Sequence, residues 1–251
     1  MGAAPAVEVV NADGQSRILL LCDHATNIVP PEVSGGDLGL PAEEMERHIA
    51  YDIGARGVTL ALARLLDAPA VLTRFSRLVI DPNRGEDDPT LVMKLYDGTL
   101  VPANRHVTQD EVVRRLDAYH RPYHDAVTAA IDRIEASGRV PALVAIHSFT
   151  PRLMGRQPRP WHIGILWHHD GRIALPLIAR LRGEGLCVGD NEPYSGQLEG
   201  DSMSRHGTGR NLAHVLIELR QDLIAAPEGQ VLWAERLAPI LSDVIEESAD
   251  G

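Results

Sequence analysis

Two cysteines are all that this 251-residue chain contains, too few for a disulfide framework. Cys22 and Cys187 both sit in apolar runs and read as buried free thiols. Positive charge is also short: 24 Lys and Arg face 35 Asp and Glu, a formal net charge of −11. That balance argues against nucleic acid or an anionic membrane as the main partner. It leaves room for a small anionic substrate, because a local group of Arg reverses the field inside a cleft. No apolar stretch reaches the roughly 20 residues of a membrane helix. The N-terminal segment MGAAPAVEVVNADGQ lacks the basic and apolar regions of a secretory signal, so the cytoplasm is the expected compartment. Several motifs are missing as well. Without GxSxG a serine hydrolase of the nucleophile-elbow type is disfavoured. Without GxGxxG a dinucleotide enzyme is disfavoured, and the Gly-rich loop Ser204-Arg205-His206-Gly207-Thr208-Gly209 lacks phosphate-loop spacing.

What is present is 44% hydrophobic residues, enough for a substantial core. The length suits one domain spanning 1–251. Strand-like runs fall at Arg17–Cys22, Ala70–Leu72, Arg77–Ile80, Leu143–Ile146, Ile163–Trp167, Leu186–Val188 and His214–Leu219. Pro41 followed by Ala-Glu-Glu starts a helix expected to run to about Leu66, with a break near Gly54–Gly57. Thr108-Gln-Asp-Glu111 matches a capping box and opens a helix to about Ala136, kinked at Pro122. Further helices are expected over Ala174–Arg182 and Val231–Glu247. Strands alternating with helices predict an α/β fold of three layers around a mixed, mostly parallel sheet.

Four apolar runs end in polar clusters: Asp23-His24-Ala25-Thr26-Asn27, Asp81-Pro82-Asn83-Arg84, His147-Ser148, and Glu218-Leu219-Arg220-Gln221-Asp222. Side chains just past buried strands converge on one edge of an open α/β sheet, where ligands bind. His24 and His147 are candidate metal ligands, since catalytic zinc favours two His and one carboxylate. Asp52, on the expected first helix, Asp23 and Asn27 are the candidates for a third ligand. Asp52 has apolar neighbours that turn it inward, and an inward carboxylate needs a partner. Glu218, at the end of a buried strand, suits a general base. Arg84 and Arg77 flank the Asp-Pro-Asn turn, and either can hold a carboxylate or an oxyanion; Arg77 can instead pair with Asp81. Asn83, Ser148, Tyr194 and His206 are candidate substrate contacts. His162, His168 and His169 read as solvated, and His48, His106, His120, His124 and His214 as structural.

The segments CDHATNIVPPEV, HIAYDIGA, SRLVIDPNR, AIHSFTP, HIGILW, NEPYSG and HGTGRNLAHVLIELRQDL run in order over residues 22–223. Together they resemble the N-formylglutamate amidohydrolase family, which is similar in fold to zinc carboxypeptidases and phosphorylase/hydrolase-like proteins. The resemblance implies one zinc, or another divalent ion, on His24, Asp52 and His147. It implies Glu218 and Arg84 as catalytic residues, with Arg220 of the Glu-Leu-Arg strand near substrate. Carboxypeptidases take a carboxylate three residues after the first His; here that position is Asn27, so Asp52 is the substitute. The implied activity is hydrolysis of the amide of an N-formyl or other N-acyl amino acid, such as N-formyl-L-glutamate. A zinc peptidase or cell-wall-type amidase, and a non-catalytic protein that binds a small carboxylate, are the rival readings. Loops 85–106 and 150–161 are candidates to close over the site. The sequence leaves the oligomeric state open.

Overall fold

The computed structural model describes residues 5–248. Seven strands form one sheet: β1 Val7–Val10, β2 Ile18–Cys22, β3 Ala70–Thr73, β6 Ala142–Phe149, β7 Ile163–Leu166, β8 Val188–Asp190 and β9 Ala213–Arg220. A two-stranded hairpin, β4 Leu95–Tyr96 and β5 Thr99–Leu100, stands apart. The sheet order is β1-β3-β2-β6-β9-β7-β8. The centre, β3-β2-β6-β9, is parallel, while β1 joins antiparallel to β3 and β7 antiparallel to β9, with β8 parallel to β7. This is the mixed, mostly parallel sheet that the alternation of elements predicts. The helices are α1 Ala42–Met45, α2 Ala55–Leu65, α3 Gln109–Arg115, α4 Arg121–Ala136, α5 Ala174–Gly183 and α6 Pro227–Glu247. No helix among the described residues is long and apolar enough to cross a membrane.

Strand alternation sorts the core into two layers. Leu20, Leu72, Val144, Ile146, Val215 and Ile217 pack on one face against α2, α5 and α6. Leu19, Leu21, Leu143, Ala145 and Leu216 pack on the other against Tyr123, Val127 and Ile131 of α4. His147 and Glu218 continue the second series, so they project on the α4 side. They are cross-strand partners in the β6–β9 ladder.

Four sequence expectations are corrected. The segment Arg77–Ile80 is not a strand. Its apolar side chains fill a third cluster with Val33, Ile49 and Val101, and side chains satisfy its backbone. Asn104 Nδ2 donates to Leu78 O at 2.7 Å and Arg115 Nη1 to Val79 O at 2.9 Å. The first long helix breaks at Gly54 as expected, but the break is wider: α1 ends at Met45, α2 starts after Gly54, and Asp52 lies between them rather than on a helix. Rather than a simple kink at Pro122, one π-helical turn over Leu116–His120 joins α3 to α4 just ahead of that proline. Cys187 is exposed, whereas Cys22 is buried. The strand β1 was not foreseen. The Thr108 cap is present, its Oγ1 accepting from Glu111 N at 3.3 Å. The Glu111 carboxylate, however, turns to Arg114 and Arg115 at 2.7 and 2.8 Å.

Arg115 is 1% exposed and also donates to Asn104 Oδ1 at 2.8 Å, so it ties α3 to the segment leading into the Asp81 turn. Arg115→Ala should cost about 3 kcal/mol in urea unfolding, because Glu111 loses a partner and two buried acceptors are left bare. Hydrogen bonds from Arg114 and Arg115 hold Glu111 down at about 2. Its contribution should therefore be complete above the ordinary Glu range and fade as the pH falls towards about 2. In Glu111→Gln that portion of the acid dependence should vanish from the pH profile of unfolding.

Candidate metal centre and cavity

His24 stands two residues beyond β2, His147 lies within β6, and Asp52 is brought to both by the turn before α2. That turn is pinned at each end. Asp52 N donates to His24 O at 3.0 Å. Gly54 has φ +82°, and a Cβ there would lie 2.1 Å from Ile224 O, so only glycine fits.

The ligating atoms of His24, Asp52 and His147 lie within 4.8 Å of one another, and all three residues are buried. Both imidazoles aim Nδ1 at one oxygen: Asp52 Oδ2 is 3.3 Å from His24 and 2.8 Å from His147. The opposite ring nitrogens meet other carboxylates. His24 Nε2 is 2.7 Å from Asp81 Oδ1, and His147 Nε2 is 2.8 Å from Asp23 Oδ2. A carboxylate behind each His fixes the tautomer that leaves Nδ1 free to ligate. The backing acids are themselves held. Asp81 accepts from Arg77 Nη2 at 2.8 Å and Asn83 N at 2.9 Å. Asp23 accepts from Tyr123 Oη and Ser202 Oγ, each at 2.7 Å. The other Asp52 oxygen faces Arg77 Nη1 at 3.4 Å, and Ser148 N donates to Oδ2 at 3.2 Å.

The donor set fits a divalent cation. Two imidazoles and one carboxylate are the donors of many catalytic zinc sites. With the imidazoles neutral, Asp23, Asp52 and Asp81 exceed the single Arg77 by two negative charges, which a divalent ion balances. The proton equilibria agree. Burial opposes charge on Asp52, yet His24 and His147 outweigh it and hold the carboxyl far below its usual range. Burial also disfavours a charged His147, but Asp23 and Asp52 overcome it and hold the imidazole well above its usual range. Protons and a cation thus compete for one place.

Glu218 lies beside His147 across the ladder. It is 6% exposed, and its Oε2 is buried with no hydrogen-bond partner. Burial pushes its carboxyl up to about 7. Such a group can give and take a proton near neutrality.

These residues share a cavity of about 500 Å3. His24, Asp52, His147, Glu218, Arg84, Asn83, Arg77, Ser148 and Tyr194 all line it. Two expected substrate contacts do not. His206 is buried against His124, 2.9 Å away, and Arg220 turns outward to Asp222 at 2.8 Å. Asn27 points away, its Nδ2 donating to Met45 O and Glu46 Oε1. Arg77 is occupied by Asp52 and Asp81, as an ion pair rather than a free anion receptor. The flanking loops touch each other, Met154 N donating to Asp97 Oδ1 at 3.0 Å. Sequence reasoning missed the backing roles of Asp23 and Asp81. It also missed Trp167, Met203, His214 and Leu216 as cavity walls. For His214 and Leu216 a signal existed, since they alternate with Glu218 along one strand face.

A sequence model of the N-formylglutamate amidohydrolase family matches residues 16–225. An N-formylglutamate deformylase of Pseudomonas putida is 26% identical over 203 residues, 74% of each chain. A structure of a gene product of Agrobacterium tumefaciens superposes with a TM-score of 0.91 at 35% identity, covering 97% of this chain and 96% of that one. An N-formylglutamate amidohydrolase of Ralstonia eutropha JMP134 shares the fold at 22% identity, with a TM-score of 0.69 and coverage of 99% and 100%. The chain belongs to the N-formylglutamate amidohydrolase family.

Metal content should follow this wiring. Calorimetric titration with Zn2+ should give one site in the wild type and none in His147→Ala. Asp23→Asn, which touches no ligating atom, should weaken the site by roughly 10- to 100-fold. Unaltered affinity in Asp23→Asn would show that the backing carboxylate is idle.

Proposed function

We propose that this member of the N-formylglutamate amidohydrolase family hydrolyses the amide of an N-formyl or other N-acyl amino acid, of which N-formyl-L-glutamate is the family's named example. The observation that carries the reading is Glu218: a buried carboxyl without a partner, beside a three-ligand metal group, in one cavity. The proposal takes residues 1–251 as one domain and zinc as the ion.

His24, Asp52 and His147 would hold the ion, with Asp81 and Asp23 orienting the imidazoles. When bound, the ion supplies Lewis acidity towards the amide carbonyl and acidifies water. Glu218 Oε2 takes the proton of the attacking water as its oxygen bonds to the amide carbon. Glu218 then delivers that proton to the amide nitrogen as the C–N bond breaks, giving a carboxylate and a free amino acid. The raised proton affinity of Glu218 suits both roles.

Arg84 receives the substrate carboxylate. Its Nη1 donates to Asn83 O at 2.8 Å and its Nε to Thr90 Oγ1 at 3.3 Å, which aims the guanidinium from the turn. Asn83 is held in turn, its Oδ1 accepting from Ser202 N at 3.0 Å. Arg77 acts through others by keeping Asp52 and Asp81 ionised and in place. Ser148 Oγ donates to Ile53 O at 2.8 Å and steadies the Asp52 turn.

Formate release from a panel of N-formyl amino acids, with zinc-loaded and chelated protein, tests the reading. Turnover should be chelator-sensitive. Glu218→Gln should keep its zinc while kcat falls by about 10²- to 10⁴-fold; full activity would remove Glu218 from the mechanism. Arg84→Ala should raise KM by roughly 10- to 100-fold, the worth of a hydrogen bond between charged groups. Cleavage of short peptides without deformylation would favour the peptidase reading. Tight binding of a small carboxylate without any turnover would favour the binding protein.

A further inference from the structure

The cavity continues well beyond the residues that the chemistry needs. Glu218, Leu216 and His214 point to one face of β9 and all line it. Four residues of strand rise, roughly 13 Å, separate Glu218 from His214. N-formylglutamate has about a dozen non-hydrogen atoms. Even at a water molecule's roughly 30 Å3 apiece they would fill no more than about 360 Å3, against a cavity of about 500 Å3.

Apolar side chains make up one wall of this extension, while Ser204, Thr208, His168 and His169 also line the cavity. Leu216, Leu166 and Met203 are 5%, 6% and 6% exposed and belong to one hydrophobic cluster, with Tyr194 packed against it. Trp167 borders the cavity as well, but it packs against the cluster on the other face of the sheet. At the far end both His214 ring nitrogens are engaged, Nδ1 with Leu212 O at 2.8 Å and Nε2 with Thr208 Oγ1 at 3.3 Å. Among the described lining residues the only Arg or Lys side chains are Arg77 and Arg84, and Arg77 is consumed by two aspartates. One substrate carboxylate therefore finds a guanidinium, and a second, carried into the extension, finds none.

We propose that the compartment between Leu166, Tyr194, Met203 and Leu216 receives a bulky apolar amino-acid side chain. The preferred substrates are then N-acyl amino acids with a single carboxylate, such as those of phenylalanine or leucine, in preference to the dicarboxylate of glutamate. The inference rests on the amide-hydrolase reading and narrows its substrate class. Burial of an apolar side chain in such a pocket favours binding, whereas a glutamate carboxylate there would lose hydration with no guanidinium to replace it.

The test compares kcat/KM for formate release from N-formyl-L-phenylalanine, N-formyl-L-leucine and N-formyl-L-glutamate by the zinc-loaded protein. The apolar pair should exceed the glutamate compound by about tenfold or more; parity, or a preference for glutamate, overturns the inference. In Leu216→Ala the phenylalanine-to-glutamate ratio should fall by about tenfold, whereas an unchanged ratio would mean that Leu216 only supports the fold and would overturn the assignment. If none of the compounds releases formate, the formyl-amide reading fails by itself. Calorimetric binding of the phenylalanine and glutamate compounds to the wild-type protein then decides the compartment: tighter binding of the first supports it, and equal or weaker binding overturns it.

Discussion

Asp52 is a carboxylate taken almost wholly out of water, and nearly everything around it exists to make that tolerable. An unpaired buried charge of this kind is costly enough that it would neutralise or unfold its surroundings. Here His24, His147, the Ser148 amide and Arg77 converge on its two oxygens. Each of these partners brings a debt of its own. The imidazoles need Asp81 and Asp23, and those need Arg77, Tyr123 and Ser202. The chain of obligations runs from the end of β2 to α4 and to the loop before β9, from Asp23 to Ser202. Removing a member leaves the next one unpaired, so the network behaves as a unit.

The sheet explains why this network can stand beside an open cavity. Ligand sites of open α/β sheets gather beyond the strand ends, and His24 obeys that rule. His147 and Glu218, by contrast, are still inside their ladders. The rigid backbone of two central strands therefore sets their separation, and no loop has to close for them to meet. The cavity consequently lies over the sheet face, beside the loop that carries Tyr194 and the π-helical turn Met203–Gly207.

Much of this was legible in the sequence wherever chemistry and local pattern coincide. His24, His147, Glu218 and Arg84 each follow or end an apolar run, and period-two alternation places them near one another. Asp52 was identifiable as an inward carboxylate, but its turn was read as helix. The break depends on Gly54 meeting Ile224, a contact 170 residues away in sequence. The run Arg-Leu-Val-Ile before Asp81 reads as a strand because apolar content cannot reveal what satisfies the backbone. Side chains of Asn104 and Arg115 do so here, and neither is local. The backing roles of Asp23 and Asp81 were hidden for the same reason: each is defined by a partner from another part of the chain. His206 and Arg220 show the reverse error, since residues with suitable chemistry stood next to the site in sequence and turned away from it in space.

Gly164 sits opposite Glu218 in the β7–β9 ladder, and a Cβ there would lie 2.1 Å from Glu192 O. The segment that brings Tyr194 over the cavity thus rests on bare backbone, one atom's thickness from the sheet. None of the hydrogen bonds that wire the metal ligands passes through that contact. Roof and wiring meet at Ser202 but are separable at the Tyr194 end: a lineage could re-slope the ceiling by small changes at this seam and explore new molecules while the reactive centre stayed untouched. The protein is in that sense a fixed engine beneath an adjustable canopy.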